Sequence, residues 1–330
     1  MTEKLALAVD GGNSKTDLAL IREDGAVLSA VRGPGSSQQK LGVDGSIEVL
    51  GSLLERAAAD AGVEMNHQPV AEVGRVLIAG ADLPEEEEIL RKALADQGWA
   101  PRTEVGNDTF AVLRTGTDRG WGVALVCGAG INCVGVAEDG RVARFAALGR
   151  ITGDWGGGDD VGPEALWAAA RSADGRGPKT TLERAVPAHF ALAAPIDVAR
   201  AIHFNELPYE RLIELAPVVL AEAASDPVAG QIVDRLKAEM VNLARVAVER
   251  LDLAGESFEV VLGGGMFRAD GRELVDAVRD GVGEFAPDAT VTAIDAHPIV
   301  GAALLALDEL GADREAKVRV RHSLSEAGLG

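Results

Sequence analysis

Short apolar runs, each bounded by glycine or acidic residues, open the chain. Residues 5–10 form the first run and end in Gly11-Gly12, residues 17–21 form the second, and residues 26–31 form the third. The second and third runs are separated by the turn sequence Glu23-Asp24-Gly25. Runs this short, with such boundaries, are typical of β-strands. The pattern therefore predicts three strands of one sheet.

The period of the pattern then changes to that of a helix. One helical face collects six apolar residues, with Asp44 as the expected cap; they are Ile47, Leu50, Leu54, Ala57, Ala58 and Ala61. Residues 76–79 are typical of a buried strand. Pro84 and the acidic residues 85–88 predict the first turn of a second helix, where carboxylates suit the helix dipole.

The opening pattern returns further along the chain. Residues 123–127 are apolar and end in a glycine turn, residues 133–136 resume the pattern, and residues 142–147 close it after Glu138-Asp139-Gly140. A duplicated unit of this kind implies two similar domains. Chance similarity of two meandering sheets is the alternative.

The later chain is mostly helical, with strands between the helices. Asp226-Pro227 is expected to cap a long amphipathic helix that continues to Leu251. A strand at residues 259–262, a helix near Leu274, a short strand near Val291 and a last helix after Pro298 follow. This alternation predicts an α/β fold, while the charged tail after residue 311 gives no clear period.

Composition and charge mainly exclude classes of function. The 330 residues have globular average composition, and their number suggests about two domains. Acidic residues outnumber basic ones by 52 to 32, which gives a formal net charge of −20. That field repels a phosphate backbone, so nucleic acid is not an expected partner.

The cysteines and the apolar segments point to the cytoplasm. Cys127 and Cys133 lie in an apolar stretch, which suits a reducing compartment. The N-terminus lacks the basic region of a signal peptide. The longest uncharged stretch, residues 122–137, is too short and too rich in glycine to span a membrane, so no membrane association is expected.

The first glycine turn carries candidate chemistry for binding phosphate. It contains Gly11, Gly12, Asn13, Ser14, Lys15 and Thr16. Glycines let the main chain approach an anion, and successive N–H groups in such a turn can surround a phosphate. Asp10, at the strand end, could hold Mg²⁺ through water. The alternative is a plain hairpin turn, and the sequence does not fit a P-loop.

Two further glycine turns follow apolar strands. Gly128-Ala129-Gly130 approaches the dinucleotide pattern G-x-G-x-x-G but lacks its third glycine, and a strand pattern follows it. A second phosphate-binding turn is therefore the preferred interpretation. Gly263-Gly264-Gly265 is a third point of close approach, or alternatively a bulge.

Taken together, these motifs resemble the sugar kinases of the actin/hexokinase/Hsp70 superfamily, and more narrowly the BadF/BadG/BcrA/BcrD ATPase group with its N-acetylglucosamine kinases. Residues 10–16 resemble the first phosphate loop, with Asn13 in place of a usual glycine. Residues 128–133 resemble the second, usually G-T-G-S-N-C, with Ala129 and Ile131 as departures. Residues 263–265 resemble the adenosine loop.

The resemblance implies two ribonuclease-H-like domains with a cleft between them. Residues 1–115, joined by a helix at about 297–312, would form the first domain, residues 116–296 the second, and residues 313–330 a tail. Mg²⁺ and ATP would be the cofactors, and a homodimer is expected. The implied ATP contacts are Gly11, Gly12, Asn13, Ser14, Lys15, Thr16, Gly128, Ala129, Gly130, Gly263, Gly264 and Gly265, with Asp10 near the metal.

The resemblance also assigns a catalytic aspartate and a sugar loop. Asp108 ends a strand and matches the family's catalytic aspartate, while a helix cap is the alternative. Residues 149–158 resemble the sugar loop G-H-x-x-G-D-E-G-S, with Arg150 and Trp155 in place of His and Glu. A glycine-rich loop with no ligand is the alternative there. The implied sugar contacts are Ser37, Gln38, Asn107, Asp108, Asn132, Gly149 and Asp154.

These residues predict an ATP-dependent kinase of an amino-hexose, with N-acetylglucosamine as the substrate and its 6-phosphate as the product. Glucosamine or glucose could replace that sugar. The alternatives from other classes are an ATPase that activates a partner enzyme through an iron–sulfur cluster, and a sugar sensor without catalysis. The histidines have no metal-ligand spacing with each other or with cysteine; they are His67, His189, His203, His297 and His322.

Overall fold

The computed structural model describes residues 4–65, 69–268 and 271–326. The chain divides into two compact units. The first contains the described parts of Met1–Ala124, Glu138–Gly140 and Ile294–Gly330, and the second contains Leu125–Ala137 and Arg141–Ala293. The first unit is therefore assembled from segments near both ends of the sequence.

A five-stranded sheet is the centre of the first unit. Its strands are β1 (Leu5–Gly11), β2 (Lys15–Arg22), β3 (Val27–Pro34), β4 (Val73–Ile78) and β5 (Arg102–Gly106). Their spatial order is β3-β2-β1-β4-β5. The first three strands are antiparallel neighbours, whereas β4 pairs with β1 in parallel and β5 pairs with β4 in parallel. The carboxyl ends of β1, β4 and β5 consequently meet at one edge of the sheet.

The first helix begins earlier than the sequence pattern predicts. Helix α1 (Gln38–Ala61) has Ser37 at its N-cap position and a break at Gly42, where φ is 70°. The expectation that Asp44 caps this helix is wrong, because Asp44 lies within the helix after the break. The hydroxyl of Ser46 lies within hydrogen-bonding distance of the carbonyls of Ser36 and Gly42, at 2.8 and 3.0 Å, and so links the segments on the two sides of the break.

The other early helices follow the predicted pattern. Helix α2 (Pro84–Gln97) starts at the proline, with Glu85, Glu86 and Glu87 in its first turn. Glu86 accepts hydrogen bonds from the backbone N–H groups of Asp82 and Leu83, at 3.0 and 2.9 Å. Helix α3 (Thr109–Gly116) follows β5 directly. The acidic run is therefore the predicted solvated helix start, and one of its members closes the turn before the helix.

The second unit repeats the strand order of the first. The strands of its sheet are β6 (Gly122–Cys127), β7 (Ile131–Val136), β8 (Val142–Arg144), β9 (Glu259–Gly263) and β10 (Thr290–Ala293). The first three residues of β6 are grouped with the first unit. The spatial order is β10-β9-β6-β7-β8. Three consecutive strands, followed by two more on the other side of the first, thus occur in both sheets. The duplication predicted from the sequence is confirmed at this level, although β8 is shorter than predicted.

The second unit carries most of the helices. They are α4 (Gly158–Asp174), α5 (Leu182–His189), α6 (Pro195–His203), α7 (Ala216–Ala223), α8 (Pro227–Leu251) and α9 (Arg272–Phe285). Asp226 caps α8 as predicted, since its carboxylate accepts from the N–H groups of Val228 and Ala229 at 2.8 and 2.9 Å. The same carboxylate accepts from Thr180 and Thr181, so it also fixes the segment before α5.

Two C-terminal helices complete the core of the first unit. Helix α10 (Ile299–Leu310) begins after Pro298 as predicted, and eight of its twelve residues are buried. A Cβ on Gly301 would lie 1.9 Å from the carbonyl oxygen of Ala111, so glycine alone permits this close approach to α3. The tail that the sequence left open forms α11 (Arg314–Glu326), where Val320 and Leu324 are fully buried.

Candidate active site

The first glycine turn is a tight hairpin between β1 and β2. The N–H of Gly12 donates to the carbonyl of Lys15 at 2.8 Å, and the N–H of Ser36 donates to the carbonyl of Gly12 at 3.1 Å. Below the turn, the buried hydroxyl of Thr16 donates to the Ser36 hydroxyl at 2.8 Å. A Cβ on Gly11 would lie 2.6 Å from that Ser36 oxygen. The turn is thus held rigidly at the edge where β1 ends.

A buried carboxylate lies directly before this turn. Asp10 is 9% exposed. Burial raises its pKa to about 8, and the negative charges of Asp108 and Asp17 add to the shift more than Lys15 and Arg32 offset it. A cation bound at this strand end would offset burial and the repulsion between the carboxylates, and so would favour the ionised form of Asp10.

Asp17 and Arg32 form an ion pair that the sequence did not reveal. Asp17 is 1% exposed, and its two carboxylate oxygens accept from Nε and Nη2 of Arg32 at 2.6 and 2.9 Å. The partners lie on the neighbouring antiparallel strands β2 and β3 and are paired in register. The bidentate geometry fixes the guanidinium, whose charge also acts on Asp10.

Asn107 and Asp108 follow β5 directly; the side chain of Asn107 caps helix α3, and Asp108 is the candidate catalytic base. Asn107 Oδ1 accepts from the N–H and the hydroxyl of Thr109, at 3.0 and 2.6 Å. Asp108 occupies the N-cap position of α3, but its side chain makes no capping hydrogen bond. Burial raises the pKa of Asp108 to about 6, against backbone hydrogen bonds that lower it. The capping alternative therefore applies to Asn107 and leaves the Asp108 carboxylate for chemistry.

Asp82 joins the loops around this edge and was also missed by sequence reasoning. Its Oδ1 accepts from Asn107 Nδ2 at 2.7 Å, and its Oδ2 accepts from Gln39 Nε2 at 3.0 Å. Gln38 donates in parallel to the carbonyl of Gly80 at 2.9 Å. Three segments that are far apart in the sequence are thus tied together by the Asp82 carboxylate and three side-chain amides.

Ser37 provides an unpaired hydroxyl in the same region. It is 1% exposed, and its Oγ is buried with no hydrogen-bond partner among the residues that the structure describes. A buried hydroxyl without a partner is costly unless a ligand or water satisfies it. The predicted residues Asp10, Ser37, Gln38, Asn107 and Asp108 all lie in the first unit, at or next to the end of a strand or a helix.

The two remaining glycine turns come together in the second unit. Gly264 has a φ of 103°, and a Cβ on it would lie 2.2 Å from the carbonyl oxygen of Cys127. In the second turn, Gly128 donates its N–H to the carbonyl of Gly130 at 2.9 Å. The start of α4 packs on the same turn, because Gly158 donates to Gly128 O at 2.9 Å. Backbone approach, rather than side-chain chemistry, requires these glycines.

The predicted sugar loop is ordered by local hydrogen bonds. The Asp154 N–H donates to the carbonyl of Gly149 at 3.0 Å, and its carboxylate accepts from the Thr152 hydroxyl at 2.5 Å. Arg150 pairs with Asp160 at 3.1 Å. A cavity of about 250 Å³ adjoins the loop; its lining residues are Arg150, Gly153, Asp154, Trp155, Glu164 and Arg235.

Asn132 lies at the start of β7, immediately beyond the second glycine turn. Its Oδ1 accepts from the N–H of Cys133 at 2.7 Å, which fixes the orientation of the amide. The start of α4 connects this turn to the sugar loop, because a Cβ on Gly157 would lie 2.4 Å from the carbonyl oxygen of Ala129. The second phosphate turn and the sugar loop are therefore neighbours within the second unit.

The cysteines and histidines do not form a metal centre in the described part of the chain. No group of three or more histidine, cysteine or acidic side chains could hold a metal ion among residues 4–65, 69–268 and 271–326. Burial raises the pKa of the Cys127 thiol to about 12 and raises that of Cys133 further. His189 lies on a helix and contacts Glu214 at 3.0 Å, while His67 lies outside the described residues.

Within the described segments, no helix is both long enough and apolar enough to cross a membrane.

Two known sugar kinases resemble this chain over most of its length. The chain is 28% identical over 265 residues to an N-acetylmuramic acid/N-acetylglucosamine kinase of Clostridium acetobutylicum, covering 80% of this chain and 85% of that protein. It is 25% identical over 327 residues to an N-acetyl-D-glucosamine kinase of Dictyostelium discoideum, covering 93% and 99%.

The fold was compared with solved structures and the sequence with models of known families, and both comparisons agree with these two relatives. A crystal structure of a candidate N-acetylglucosamine kinase from Chromobacterium violaceum aligns with a TM-score of 0.72 and 22% identity, over 93% of this chain and all of that chain. The two five-stranded sheets are consistent with an actin-like ATPase fold. The sequence profile of one family matches residues 7–306. The chain belongs to the BadF/BadG/BcrA/BcrD ATPase family.

Proposed function

We propose that this protein is an ATP-dependent kinase that phosphorylates an amino-hexose, with N-acetylglucosamine as the substrate and its 6-phosphate as the product. The observation that carries the proposal is the Asp108 carboxylate, which is left without a capping role at a strand end and whose pKa is raised to about 6. The names of both curated relatives support the sugar.

The proposed Mg²⁺ and ATP sites fit the residues that are present. Burial, together with the charges of Asp108 and Asp17, raises the pKa of Asp10, and a hydrated divalent cation would favour its ionised form. The glycine turns in each unit, where the lack of side chains leaves the main chain accessible, would contact phosphate through backbone N–H groups. Bound Mg²⁺ would neutralise charge that develops on the transferred phosphoryl group.

Asp108 would accept the proton of the attacking sugar hydroxyl. Because phosphoryl transfer passes through a loose transition state, most of its contribution would be to orient that hydroxyl. Asn107 holds Asp108 in place through its bonds to Thr109 and Asp82. The unpaired Ser37 hydroxyl and the Asp154 carboxylate would bind sugar hydroxyls.

Sugar-dependent release of ADP tests the proposal directly. Glucose, glucosamine, N-acetylglucosamine and N-acetylmannosamine would be compared in a coupled assay with Mg²⁺ and ATP, and the product identified by NMR. The expected result is turnover with N-acetylglucosamine and phosphate on O6. ADP release that no sugar accelerates would contradict the kinase and favour a simple ATPase.

Asp154→Ala separates the sugar site from the nucleotide site. The substitution removes an acceptor for sugar hydroxyls, and each such bond to a charged group contributes about 1.5–3 kcal/mol, so the KM for the sugar should rise about tenfold or more. ATP affinity measured without sugar should hardly change. Loss of ATP binding with unchanged sugar affinity would show that Asp154 contacts the nucleotide instead.

The alternative of an activating ATPase needs thiolates that can reach iron. Cys127 and Cys133 are buried with raised pKa values, which opposes that role. The cleft between domains, the domain bounds at residues 115 and 296, the homodimer and the cytoplasmic location remain predictions.

A further inference from the structure

One buried carboxylate in the first unit contacts a neighbour of the candidate base and a neighbour of a predicted sugar contact. Asp82 is 8% exposed and lies in the loop between β4 and α2. Its Oδ1 accepts from Asn107 Nδ2 at 2.7 Å, and its Oδ2 accepts from Gln39 Nε2 at 3.0 Å. Asn107 directly precedes Asp108, and Gln39 lies two residues after Ser37.

The backbone around Asp82 is itself held in place. Glu86 Oε2 accepts from the N–H groups of Asp82 and Leu83, at 3.0 and 2.9 Å. Gly80 has a φ of 84°, and a Cβ on it would lie 2.9 Å from the Oγ of Ser37. The loop is thus bonded to the start of α2 and packed against the start of α1. A carboxylate on a backbone held from both sides can impose an orientation on its partners.

Asp82 determines which end of the Asn107 amide faces helix α3. An ionised carboxylate only accepts hydrogen bonds, and a backbone N–H only donates them. The amide therefore satisfies both neighbours in one orientation, with its NH₂ group toward Asp82 and its oxygen toward Thr109. In that orientation Oδ1 accepts from the N–H and the hydroxyl of Thr109 at 3.0 and 2.6 Å. Because Asn107 and Thr109 are 3% and 1% exposed, the opposite orientation would leave buried groups unpaired.

The orientation of Asn107 in turn decides which side chain caps α3. Asp108 occupies the N-cap position, where an aspartate ordinarily accepts from N–H groups of the first turn, yet its side chain makes no such bond. The Asn107 oxygen takes the N–H of Thr109 instead. Without an oriented Asn107, the Asp108 carboxylate would become the acceptor for the unpaired N–H groups at the helix start. A carboxylate bonded to the helix backbone is not available to a sugar hydroxyl.

We infer that Asp82 is a positioning residue for phosphoryl transfer, because its hold on the Asn107 amide keeps the Asp108 carboxylate free to accept the proton of the attacking hydroxyl. In that step the hydroxyl oxygen bonds the γ-phosphorus of ATP, ADP leaves, and the hydroxyl proton passes to Asp108. The inference rests on the proposed function and adds to it a residue that acts through Asn107 rather than by contact with the sugar.

Asp82→Leu and Asp82→Asn differ in what they leave to Asn107. Leucine accepts from neither amide, whereas asparagine keeps the shape of the side chain and one acceptor oxygen. With N-acetylglucosamine and Mg²⁺-ATP, kcat should fall by about 10–100-fold in Asp82→Leu and by about 2–10-fold in Asp82→Asn, since bonds to charged groups are stronger than neutral ones. ATP affinity, measured by calorimetry without sugar, should hardly change. An unchanged kcat in both variants would overturn the inference.

A double-mutant cycle tests whether Asp82 acts through Asn107. Asn107→Ala removes the amide that Asp82 holds, so Asp82→Leu should cause little further loss of kcat in that background. Losses that multiply in the double variant would overturn the inference, because Asp82 would then act by another route. If Asp82→Leu does not fold, the cycle with Asp82→Asn decides, since its smaller loss should vanish in the same way.

Glu309→Leu is the matched control. Glu309 lies on α10 and accepts from Arg75 of β4 at 2.8 Å, so its loss also removes a carboxylate contact from the first unit but not from the candidate site. This variant should have a lower melting temperature and an unchanged kcat. A kcat that falls with the melting temperature in all the variants alike would show that Asp82 has only a structural role.

Failure of the inference and failure of the proposed function give different results. If no sugar accelerates ADP release by the wild-type protein, the proposed function fails, and NMR without substrate still tests Asp82. The side-chain NH₂ of Asn107 should be protected from hydrogen exchange in the wild-type protein and lose that protection in Asp82→Leu or Asp82→Asn. The carboxyl carbon resonance of Asp108 should shift in the same variants. An unchanged Asn107 and Asp108 would overturn the inference.

Discussion

At the scale of single residues, the proposed reaction depends most on Asp108. Asp108→Asn keeps the size of the side chain but removes the proton acceptor. We expect kcat to fall by about 10²–10⁴-fold, as is typical when a positioned base is lost. ATP binding should be nearly unchanged, which calorimetry without sugar would measure. Turnover close to that of the wild-type protein would refute the assignment of Asp108 as the base.

Asp10 should lower the stability of the metal-free protein. Burial first, and then the charges of Asp108 and Asp17, raise its pKa from 3.8 to about 8. A carboxyl group with a raised pKa binds its proton more tightly in the folded state than in the unfolded state. Its contribution to the free energy of unfolding is therefore full below pH 3.8 and is lost as the pH rises toward 8.

Asp10→Asn should remove the loss of stability that Asp10 causes as the pH rises. In the presence of a chelator, the variant is expected to be more stable than the wild-type protein at pH 8 by about 1–3 kcal/mol, with a smaller difference at pH 5. Added Mg²⁺ should raise the melting temperature of the wild-type protein only. Thermal unfolding at both pH values provides the measurement. A variant that is less stable at pH 8, or that still responds to Mg²⁺, would contradict this role.

At the scale of secondary structure, apolar runs and glycine turns predicted the strands well, because each signal is local. The start of α1 was not predicted, since Gly42 breaks the helix and Asp44 resembles a cap. Helix α11 was left open because its sequence is polar, although Val320 and Leu324 bury fully against the rest of the unit. In both cases contacts beyond the local sequence decide the structure.

Only those residues of the candidate site that belong to a recognisable sequence motif were predicted. Asp10, Asp108 and the glycine turns were identified because they are contiguous with recognisable strand ends. Asp82 and Arg235 were not, because their partners are distant in the sequence: Asp82 bonds Asn107 and Gln39, and Arg235 stacks on Trp155. Such pairings leave no local pattern in a single sequence, because they form only when the chain folds.

Substitution of Asp226, the N-cap of α8, tests how much one helix cap contributes to the free energy of unfolding. Burial acts to raise its pKa, but hydrogen bonds from Ala229, Thr181, Thr180 and Val228 outweigh burial and lower it below 3.8. The stability that it provides is therefore present above pH 3.8 and is lost as the pH falls through the lowered value.

Asp226→Ala should reduce the free energy of unfolding at pH 7 by about 1–2 kcal/mol, the upper part of the range for a helix cap. Asp226→Asn, which can still accept hydrogen bonds, should lose less. Urea unfolding at pH 7 and at pH 3 measures both effects, and the difference between wild-type protein and Asp226→Ala should shrink at pH 3. An equal difference at the two pH values would show that the charge plays no part.

At the scale of the whole molecule, the first unit depends on chain that comes after the second. Helix α10 packs on the alanine-rich face of β1, where Ala6 and Ala8 are fully buried in the same cluster as Ile299 and Leu307. Removal of residues 294–330 would expose that face. We expect the truncated protein to lose the cooperative unfolding of the first unit and to become sensitive to protease between residues 4 and 124.

A shorter deletion is the control for that truncation. Removing residues 314–330 takes away α11 but leaves α10 in place, so most of the first core should survive with reduced stability. Limited proteolysis with mass spectrometry would locate the cleavage sites. Equal protection of residues 4–124 in the full-length and longer-truncated proteins would contradict the dependence on α10.

The position of α10 has a consequence for synthesis on the ribosome. β1 leaves the exit tunnel long before α10, because the helix that covers one of its faces is made only after residues 125–293. During that interval the face that contains Ala6, Ala8 and Ala19 has no native cover, which is the condition under which nascent chains aggregate or recruit chaperones. All strands of the second sheet are made before α10, so that sheet can form before the first unit has all of its segments.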